Sequence, residues 1–241
     1  MLSIVIPARN ESENLKDILN YFSNLSLKED FEVLLINDFS EDNTLENAKN
    51  LFQQNRRFKI YDNKKKGLGG AINLGIDKSG GDKIAIMMAD LSDDIKDLLR
   101  YNELIDKKNV DAILGSRFLK DSIVKDYPFR KLILNRIFNF IVGFLFWNKY
   151  NDYTNAFKIY KKNALINVMP FVSESFNIFL EIPLKIINRG YSYEIININW
   201  YGRKKGEAKF KIKELRSKYL FTLIYCLIEK ILLNVKKWEN Y

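Results

Sequence analysis

Carboxylates at positions 90, 93 and 94 make the segment 89–94 (Ala-Asp-Leu-Ser-Asp-Asp) the strongest candidate for catalysis. The segment directly follows an apolar run at 84–88 that predicts a strand. A carboxylate at a strand end of an open α/β sheet can hold Mg²⁺ or Mn²⁺, which prefer oxygen ligands and keep coordination sites for phosphates. Asp93 and Asp94 have a second interpretation as caps of the helix that begins near residue 95. Asp90 precedes that helix and is the stronger metal candidate.

Three other polar segments could bind a nucleotide. The turns at 7–11 and 37–42 each end an apolar run, and Asp38 could accept hydrogen bonds from a base or a ribose. Residues 64–70 (Lys-Lys-Lys-Gly-Leu-Gly-Gly) place cations and a flexible backbone before a helix, which suits a diphosphate. Their spacing is neither GxGxxG nor that of a P-loop, so neither nucleotide-binding motif is predicted.

The residues that the chain lacks exclude several kinds of chemistry. It has no histidine, which rules out Ser-His-Asp and Cys-His catalysis, imidazole bases and histidine-ligated metals. Its one cysteine, Cys226, allows neither a disulfide nor a thiolate zinc site, and a reducing, cytoplasmic compartment is expected. The first residues have neither the basic region nor the cleavage site of a signal peptide.

Positive charge is concentrated in the second half of the chain. The formal net charge is +9, with −2 over residues 1–120 and +11 over residues 121–241. This asymmetry indicates an anionic partner: nucleic acid, phospholipid headgroups or a phosphorylated substrate. A compositional bias towards lysine is the alternative.

Alternating apolar and amphipathic segments must position these residues. Strands are predicted at 2–7, 31–36, 58–61, 84–88 and 110–114, with helices near 15–22, 45–52, 72–76 and 95–105. Asn10 and Glu13 predict a capping box before the first helix. Wholly apolar strands separated by amphipathic helices imply a mostly parallel sheet covered on both faces. Since ligands bind beyond the carboxyl ends of such strands, the turns at 8–11, 37–42 and 90–94 should meet at one edge.

Two apolar, aromatic segments at 132–147 and 219–235 are each interrupted by polar or charged residues. Neither has the roughly 20 consecutive apolar residues of a membrane-spanning helix. Both could lie in a membrane interface, or they could be buried core helices.

Eight segments in the same order resemble the family 2 glycosyltransferases of the GT-A fold, and more closely the dolichyl- or polyprenyl-phosphate sugar synthases. They run from Ser3 to about Phe210: SIVIPARNE, INDFSEDNT, KGLGGAINLGI, MMADLSDD, GSRF, NDYTNAFKIYKK, ESFNIFLEIPLKIINRGYSYEIINI and YGRKKGEAKF. The resemblance implies an α/β fold of GT-A type, Rossmann-like, with helices flanking a mostly parallel sheet. It also implies Mg²⁺ or Mn²⁺ as cofactor.

The resemblance assigns roles to particular residues. The nucleotide-sugar is expected to contact Pro7, Arg9, Glu11, Asp38, Lys66, Gly67, Gly69 and Asp90. Asp90 is expected to hold the metal, with Ser92 or Asp93 contributing. The acceptor phosphate is expected to contact Arg117, Arg130, Arg203 and Lys209, unless these form only a solvated basic face. Asp90, Arg117, Arg130 and Arg203 are the expected catalytic residues.

The chain departs from the family pattern at three places. Met88 stands at the first position of the usual Asp-x-Asp, which leaves the geometry of the metal site open. Asn37 and Asp38 stand where two aspartates are common. Asn155-Ala156-Phe157 replaces the usual glycine before phenylalanine, which indicates a subgroup with a different sugar or acceptor.

The sequence therefore predicts an inverting, metal-dependent transfer of sugar from a GDP- or UDP-sugar to a polyprenyl phosphate. The expected organisation is a GT-A domain at 1–215 and an amphipathic, basic C-terminal helix at 216–241. The protein is expected at an anionic membrane surface, peripheral on the cytoplasmic face, with no nucleic-acid partner. Two alternatives stay open: transfer to a glycan or protein hydroxyl, with Asp152 or Glu181 as base, and a nucleic-acid-binding module. A nucleotidyltransferase is less favoured, because its Gly-x-Gly-Thr-Arg loop is missing.

Overall fold

The computed structural model of the chain describes residues 1–25, 27, 29–203, 205 and 212–238, and the side chains of 217–233 within the last range. The strands are β1 (Leu2–Ala8), β2 (Phe31–Asn37), β3 (Phe58–Asp62), β4 (Lys83–Ile86), β5 (Ala112–Ser116), β6 (Val124–Lys125), β7 (Lys158–Lys161), β8 (Tyr193–Asn197) and β9 (Trp200–Tyr201). The α-helices are α1 (Leu15–Ser23), α2 (Thr44–Phe52), α3 (Leu68–Lys78), α4 (Ile95–Lys107), α5 (Phe129–Phe146), α6 (Lys162–Val168), α7 (Ile178–Asn188) and α8 (Ile212–Trp238).

A seven-stranded sheet, in the order β3-β2-β1-β4-β7-β5-β8, forms the centre of the fold. Its paired strands are parallel except at β7, which runs antiparallel to β4 and β5. Strands β6 and β9 pair in a separate parallel ribbon. The predicted mostly parallel sheet flanked by helices is confirmed. The antiparallel β7 was not predicted as a strand.

Helices cover the sheet on both faces, which explains why β1 and β2 are apolar along almost their whole length and buried at every position. One apolar core packs α1, α2 and α4 against the sheet, with Ile18, Phe52 and Leu98 among its buried side chains. The opposite core is built with α3 and α5 to α8, and includes Ile72 and Leu180.

The predicted capping box before α1 is wrong. Asn10 adopts a left-handed backbone with φ 53°, and its side-chain oxygen accepts from the backbone N–H of Glu41 at 2.7 Å. A short 3-10 helix, Ser12–Asn14, then leads into α1 without a side-chain cap. Asn10 is used to tie the turn after β1 to the turn after β2, so its side chain is not available to the helix.

The two apolar segments of the second half form α5 and part of α8, and much of their apolar surface is exposed. The predicted domain boundary at 215/216 falls inside α8. Exposed apolar side chains on α5 and just after it are Phe129, Ile133, Leu134, Ile137, Phe140, Ile141, Phe144, Leu145 and Trp147. Those on α8 are Leu220, Phe221, Ile224, Ile228, Ile231 and Leu232. Within the described ranges, none of the helices combines the length and apolar content that crossing a bilayer requires.

Candidate active site

The turns after β1 and β4 meet at the carboxyl edge of the sheet, as the strand order requires. Arg203, just after β9, joins them: its Nη2 lies 2.6 Å from Glu11 Oε1 and its Nε 3.3 Å from Asp90 Oδ2. The three side chains are largely buried. Burial raises the pKa of Glu11, although the ion pair with Arg203 opposes this shift. Burial disfavours the charged form of Arg203, but Glu11 and Asp90 outweigh it and the pKa of the guanidinium lies above its usual value.

Asp90 is the carboxylate best placed to hold a metal ion. Its Oδ1 accepts from the backbone N–H of Ser92 at 3.1 Å, so its orientation is fixed. The hydroxyl of Ser92 is buried and has no hydrogen-bond partner among the described residues. Asp94 instead caps α4, because its side chain accepts from Lys96 N at 2.9 Å. The capping interpretation therefore applies to Asp94 and not to Asp90.

Asp93 is buried beside Asp90, and this changes its acid–base behaviour. Burial, reinforced by the charge of Asp90, raises the pKa of Asp93 to about 8. Arg117 and Lys158 oppose this shift without cancelling it, so in the protein without a metal ion the carboxyl of Asp93 is mostly neutral at pH 7. Among the described residues, no group of three or more Asp, Glu, His or Cys side chains could by itself hold a metal. One fixed carboxylate and an unpaired hydroxyl fit Mg²⁺ or Mn²⁺, because such ions in nucleotide sites take much of their coordination from phosphates and water.

The glycine-rich loop before α3 is held by protein groups. Asp38 Oδ1 accepts from Gly67 N and from Asn63 Nδ2, both at 2.8 Å. Gly69 N donates to the carbonyl of Glu174 at 3.1 Å. A Cβ on Gly69 would lie 1.9 Å from the carbonyl oxygen of Ser173, so glycine is needed here for close backbone approach. The N–H groups of Gly67 and Gly69 thus have protein partners in this structure, and the expected contact of these glycines with the nucleotide-sugar stays a prediction.

The remaining residues expected at the nucleotide-sugar lie on the same edge of the sheet. Pro7 is buried within β1. Arg9 Nη2 lies 3.7 Å from Glu41 Oε1, in a partly exposed ion pair. Lys66 is exposed, with its ammonium 6.0 Å from the centre of the Phe39 ring.

Arg117 is fixed by a buried bidentate ion pair with Asp152. Its Nε lies 2.8 Å from Asp152 Oδ2 and its Nη2 lies 2.7 Å from Oδ1, while its backbone N–H also donates to Oδ2. The guanidinium lies within 6 Å of the ring centres of Phe118, Tyr127 and Trp200. Burial disfavours the charge, but Asp152 outweighs it, and the pKa of Arg117 lies above its ordinary value.

Neither carboxylate considered as a general base is free to act as one. Asp152 is fully buried with both oxygens bonded to Arg117. Glu181 is also fully buried; it accepts from the backbone N–H groups of Val172 and Ser173 and pairs with Lys185 at 3.1 Å. Both carboxylates therefore position other groups: Asp152 holds Arg117, and Glu181 holds the loop before α7.

A cavity of about 780 Å³ runs from the carboxyl edge of the sheet, called the acidic edge here because Glu11 and Asp90 lie there, to the exposed helices α5 and α8. Glu11, Asp90 and Asp93 line its acidic end, and Arg117, Lys131 and Arg203 also line it. Its apolar walls come from three helices: Leu134 and Phe138 of α5, Phe179 of α7, and Tyr219, Leu220 and Leu223 of α8.

Among the described residues, the cavity wall includes only part of the expected set of cationic residues. Arg130 is exposed and is not part of the described cavity wall, whereas its neighbour Lys131 is. Lys209 lies outside the described residues. From the sequence we did not predict that Lys131 and Asn135 line the cavity, although the spacing of residues along α5 indicates it. Positions 131, 134, 135 and 138 follow helical spacing, which places them on one face of α5.

Comparison with known proteins agrees with this geometry. The model of the family described as glycosyl transferase family 2 matches residues 3–169. Dolichol-phosphate mannosyltransferase of Pyrococcus furiosus is 29% identical over 220 residues, which cover 89% of this chain and 60% of that protein. Polyprenol monophosphomannose synthase of Mycolicibacterium smegmatis is 26% identical, and the match covers 88% of this chain and 82% of that one. The chain thus spans less than two thirds of the archaeal relative.

A solved structure supports the fold at a greater evolutionary distance. Glucosyl-3-phosphoglycerate synthase from Mycobacterium tuberculosis, crystallised with Mn²⁺, UDP and glucosyl-3-phosphoglycerate, matches with a TM-score of 0.73 at 12% identity. The match covers 94% of this chain and 80% of that one. At this identity the likeness establishes the architecture alone.

Proposed function

Because the chain belongs to glycosyl transferase family 2, we propose that it transfers a sugar from a nucleotide-sugar to a polyprenyl phosphate. The observation that carries this proposal is the continuous cavity from Asp90 to the apolar walls of α5, α7 and α8. A lipid phosphate has the same two-part character, an anionic head and an apolar tail. The hydroxyl of a glycan would leave the apolar end without a matching partner.

The donor would bind along the carboxyl edge of β1, β2 and β4. Asp38 keeps the glycine-rich loop in position, and Glu11 and Asp90 face the cavity. Asp90 would hold Mg²⁺ or Mn²⁺, with Ser92 and Asp93 as the nearby oxygen groups. When bound, this cation supplies positive charge to the donor diphosphate as it leaves. Glucosyl-3-phosphoglycerate synthase of Mycobacterium tuberculosis, which shares the fold, was crystallised with Mn²⁺ and UDP, and this supports a divalent cation as cofactor without identifying its ligands.

A phosphate acceptor fits the finding that Asp152 and Glu181, the two carboxylates considered as bases, are bonded to other protein groups. The second pKa of a phosphate monoester is about 6, so at neutral pH it already carries a nucleophilic oxygen. That oxygen would bond to the anomeric carbon as the bond from this carbon to the diphosphate breaks, with inversion. Arg117, Lys131 and Arg203 would orient the acceptor and offset repulsion between the two anions. A hydroxyl acceptor would instead need a protein group to take up its proton.

The apolar face of α5 and α8, as defined above by its exposed side chains, supports docking to a lipid surface. Extended exposed apolar patches such as this one mark sites of interaction with proteins or membranes. Basic residues Arg130, Lys131 and Arg136 lie on α5 among the apolar ones, as expected at anionic headgroups. We therefore propose that the protein is peripheral to the membrane, on the cytoplasmic leaflet. The names of the two relatives, a dolichol-phosphate mannosyltransferase and a polyprenol monophosphomannose synthase, support a lipid acceptor.

Transfer of label decides between acceptors. The protein is incubated with radiolabelled GDP- or UDP-sugars, Mn²⁺ and polyprenyl phosphate in vesicles. Label is expected in an organic-extractable, mild-acid-labile lipid. If label reaches only protein or free glycan while polyprenyl phosphate is present, the lipid-acceptor proposal is wrong.

A further inference from the structure

Arg203 makes contacts with the acidic edge that bear on metal binding. Its Nε lies 3.3 Å from Asp90 Oδ2, and its Nη2 lies 2.6 Å from Glu11 Oε1. Each of these two carboxylates is also held through its other oxygen by a second hydrogen bond. Asn14 Nδ2 donates to the other oxygen of Glu11 at 2.6 Å, and Ser92 N donates to the other oxygen of Asp90. The guanidinium therefore faces the oxygens that these two carboxylates direct towards it.

A metal ion at Asp90 would compete with this arrangement. A hard divalent cation binds a carboxylate oxygen at about 2.0–2.1 Å and brings two positive charges to the site. Asp90 Oδ2 cannot keep its contact with Arg203 and also accept such an ion without strong repulsion between the cations. An ion bound to Oδ2 would take the place of the guanidinium directly, and an ion bound to Oδ1 of the same carboxylate would still lie close enough to repel it.

We propose that Arg203 occupies the place of the metal ion at Asp90, where its single positive charge partly offsets the charges of Glu11 and Asp90, until a divalent ion displaces it from Asp90. The inference rests on the proposed function only for Asp90 as metal ligand. It makes Arg203 a positioning residue whose partner changes during the cycle: Asp90 before metal binding, and an anionic group in the cavity afterwards.

The backbone around Arg203 keeps the displaced side chain near the cavity. Gly202 N donates to Lys125 O at 3.0 Å, which ties Gly202 to β6. A Cβ on Gly202 would lie 2.7 Å from the Cβ of Asp126, so the chain is closely packed at this point. Arg203 therefore stays at the cavity wall when its side chain turns away from Asp90. The binding order follows: metal and donor first, then the acceptor phosphate that receives the released guanidinium.

Mn²⁺ titration of the protein without acceptor tests this exchange. Binding is measured from the loss of the EPR signal of free Mn²⁺, alone and with saturating UDP or GDP. Arg203→Gln is expected to bind Mn²⁺ about tenfold more tightly than wild type, since it removes one charge-assisted competitor. Lys205→Gln is the matched control. It removes the same charge two residues away, where Lys205 pairs with Asp17 at 2.6 Å, and should change the affinity by less than about twofold.

Equal affinities for Arg203→Gln and Lys205→Gln in both titrations, or weaker binding by Arg203→Gln, would overturn the proposal. If Arg203→Gln does not fold, the Arg203 Nε–H resonance of ¹⁵N-labelled wild type replaces it. That resonance should shift on saturation with Mg²⁺ and nucleotide, and an unchanged position counts against the exchange. Asp90→Asn separates the two hypotheses: Mn²⁺ binding as in wild type would refute Asp90 as ligand, which is a failure of the proposed function.

Discussion

Asp90 is the residue on which the proposed reaction most depends. Its carboxylate lies in the cavity wall, oriented by Ser92 N. Asp90→Asn keeps the shape but removes the charge, so turnover should fall at least about 100-fold, the usual loss when one electrostatic stabiliser is removed. The thermal midpoint should stay close to that of wild type. Asp94→Asn is the control: it alters only the cap of α4 and should retain activity. Near-normal turnover by Asp90→Asn with Mg²⁺ or Mn²⁺ would refute the assignment.

Asp93 gives the stability of the protein a pH dependence that can be isolated. Its pKa of about 8 in the folded state lies above the usual value of 3.8, so the folded state binds more protons between these values. Its contribution to stability is therefore complete below about pH 4 and is lost as the pH rises through about 8. Burial lowers the pKa of neighbouring Lys158 to about 7, which acts in the opposite direction at higher pH.

The window from pH 5 to 7 therefore reports mainly on Asp93. In EDTA, wild type should lose stability relative to Asp93→Asn by at most about 1.4 kcal/mol per pH unit. Urea unfolding at several pH values measures the difference. A difference that is constant across this window would show that Asp93 is already ionised in the folded protein.

The buried Arg117–Asp152 ion pair should contribute much more to the free energy of unfolding than an exposed ion pair does. Removing one partner of a buried ion pair typically costs about 3–5 kcal/mol, because the other charge remains uncompensated. Asp152→Ala should therefore lower the free energy of unfolding by about this amount. Lys205→Ala, which breaks the exposed pair with Asp17, should cost less than about 1 kcal/mol. Chemical denaturation compares the two variants. An Asp152→Ala variant with wild-type stability but no turnover would restore Asp152 as a candidate base.

At the scale of elements, α5 shows what a residue pattern can and cannot predict. The interruptions at Asn135, Arg136 and Asn139 predicted that this segment is too polar to span a bilayer, and α5 does not meet the length and apolar content that spanning requires. They did not decide between a buried and an exposed helix, because that depends on which elements pack against α5. In the fold, Asn139 points inwards and its side-chain oxygen accepts from Tyr153 N at 2.7 Å, while Phe140 and Phe144 point outwards.

Other features of the site were also hard to predict, because they depend on contacts between residues that are far apart in the sequence. The strand-end turns were predictable from the alternation of apolar runs, and they meet as expected. The function of Gly69 was not predictable, because its close neighbour Ser173 is about a hundred residues away in the sequence. Arg117 was found from a short motif, but its partner Asp152 was assigned a different role. Nothing local indicated that the two side chains form one buried pair.

The exposed face of α5 provides a prediction about docking. Phe140 and Phe144 are 75% and 67% exposed, so replacing them should cost the fold little. Phe140→Asp together with Phe144→Asp should reduce recovery with floated vesicles at least about tenfold, because it removes two large apolar groups from the face and adds charge. Ile166→Asp, an exposed position on α6, is the control and should float as wild type does. Unchanged flotation of the double variant would mean that α5 is not the docking face.

At the scale of the whole molecule, charge and apolar surface lie in the same half of the chain. Residues 121–241 carry a net charge of +11 and also include α5 and α8. Each basic residue near an anionic surface contributes about 1 kcal/mol, and the attraction fades within a Debye length of about 8–10 Å. Binding to vesicles should therefore need both anionic lipid and apolar insertion, whereas a nucleic-acid-binding protein would need only the charge.

Vesicle flotation at graded salt separates these requirements. Recovery should be high with anionic vesicles at 50 mM salt, lower with neutral vesicles, and reduced but not abolished with anionic vesicles at about 500 mM salt, since apolar insertion is not screened. Duplex and single-stranded DNA added at equal charge should compete weakly, because neither offers a partner for the apolar face. Equal recovery with neutral and anionic vesicles would show that the net positive charge of residues 121–241 does not contribute to membrane binding. Complete release by salt, with full competition by DNA, would instead favour the nucleic-acid-binding alternative, since phosphate contacts alone weaken in this way as salt is raised.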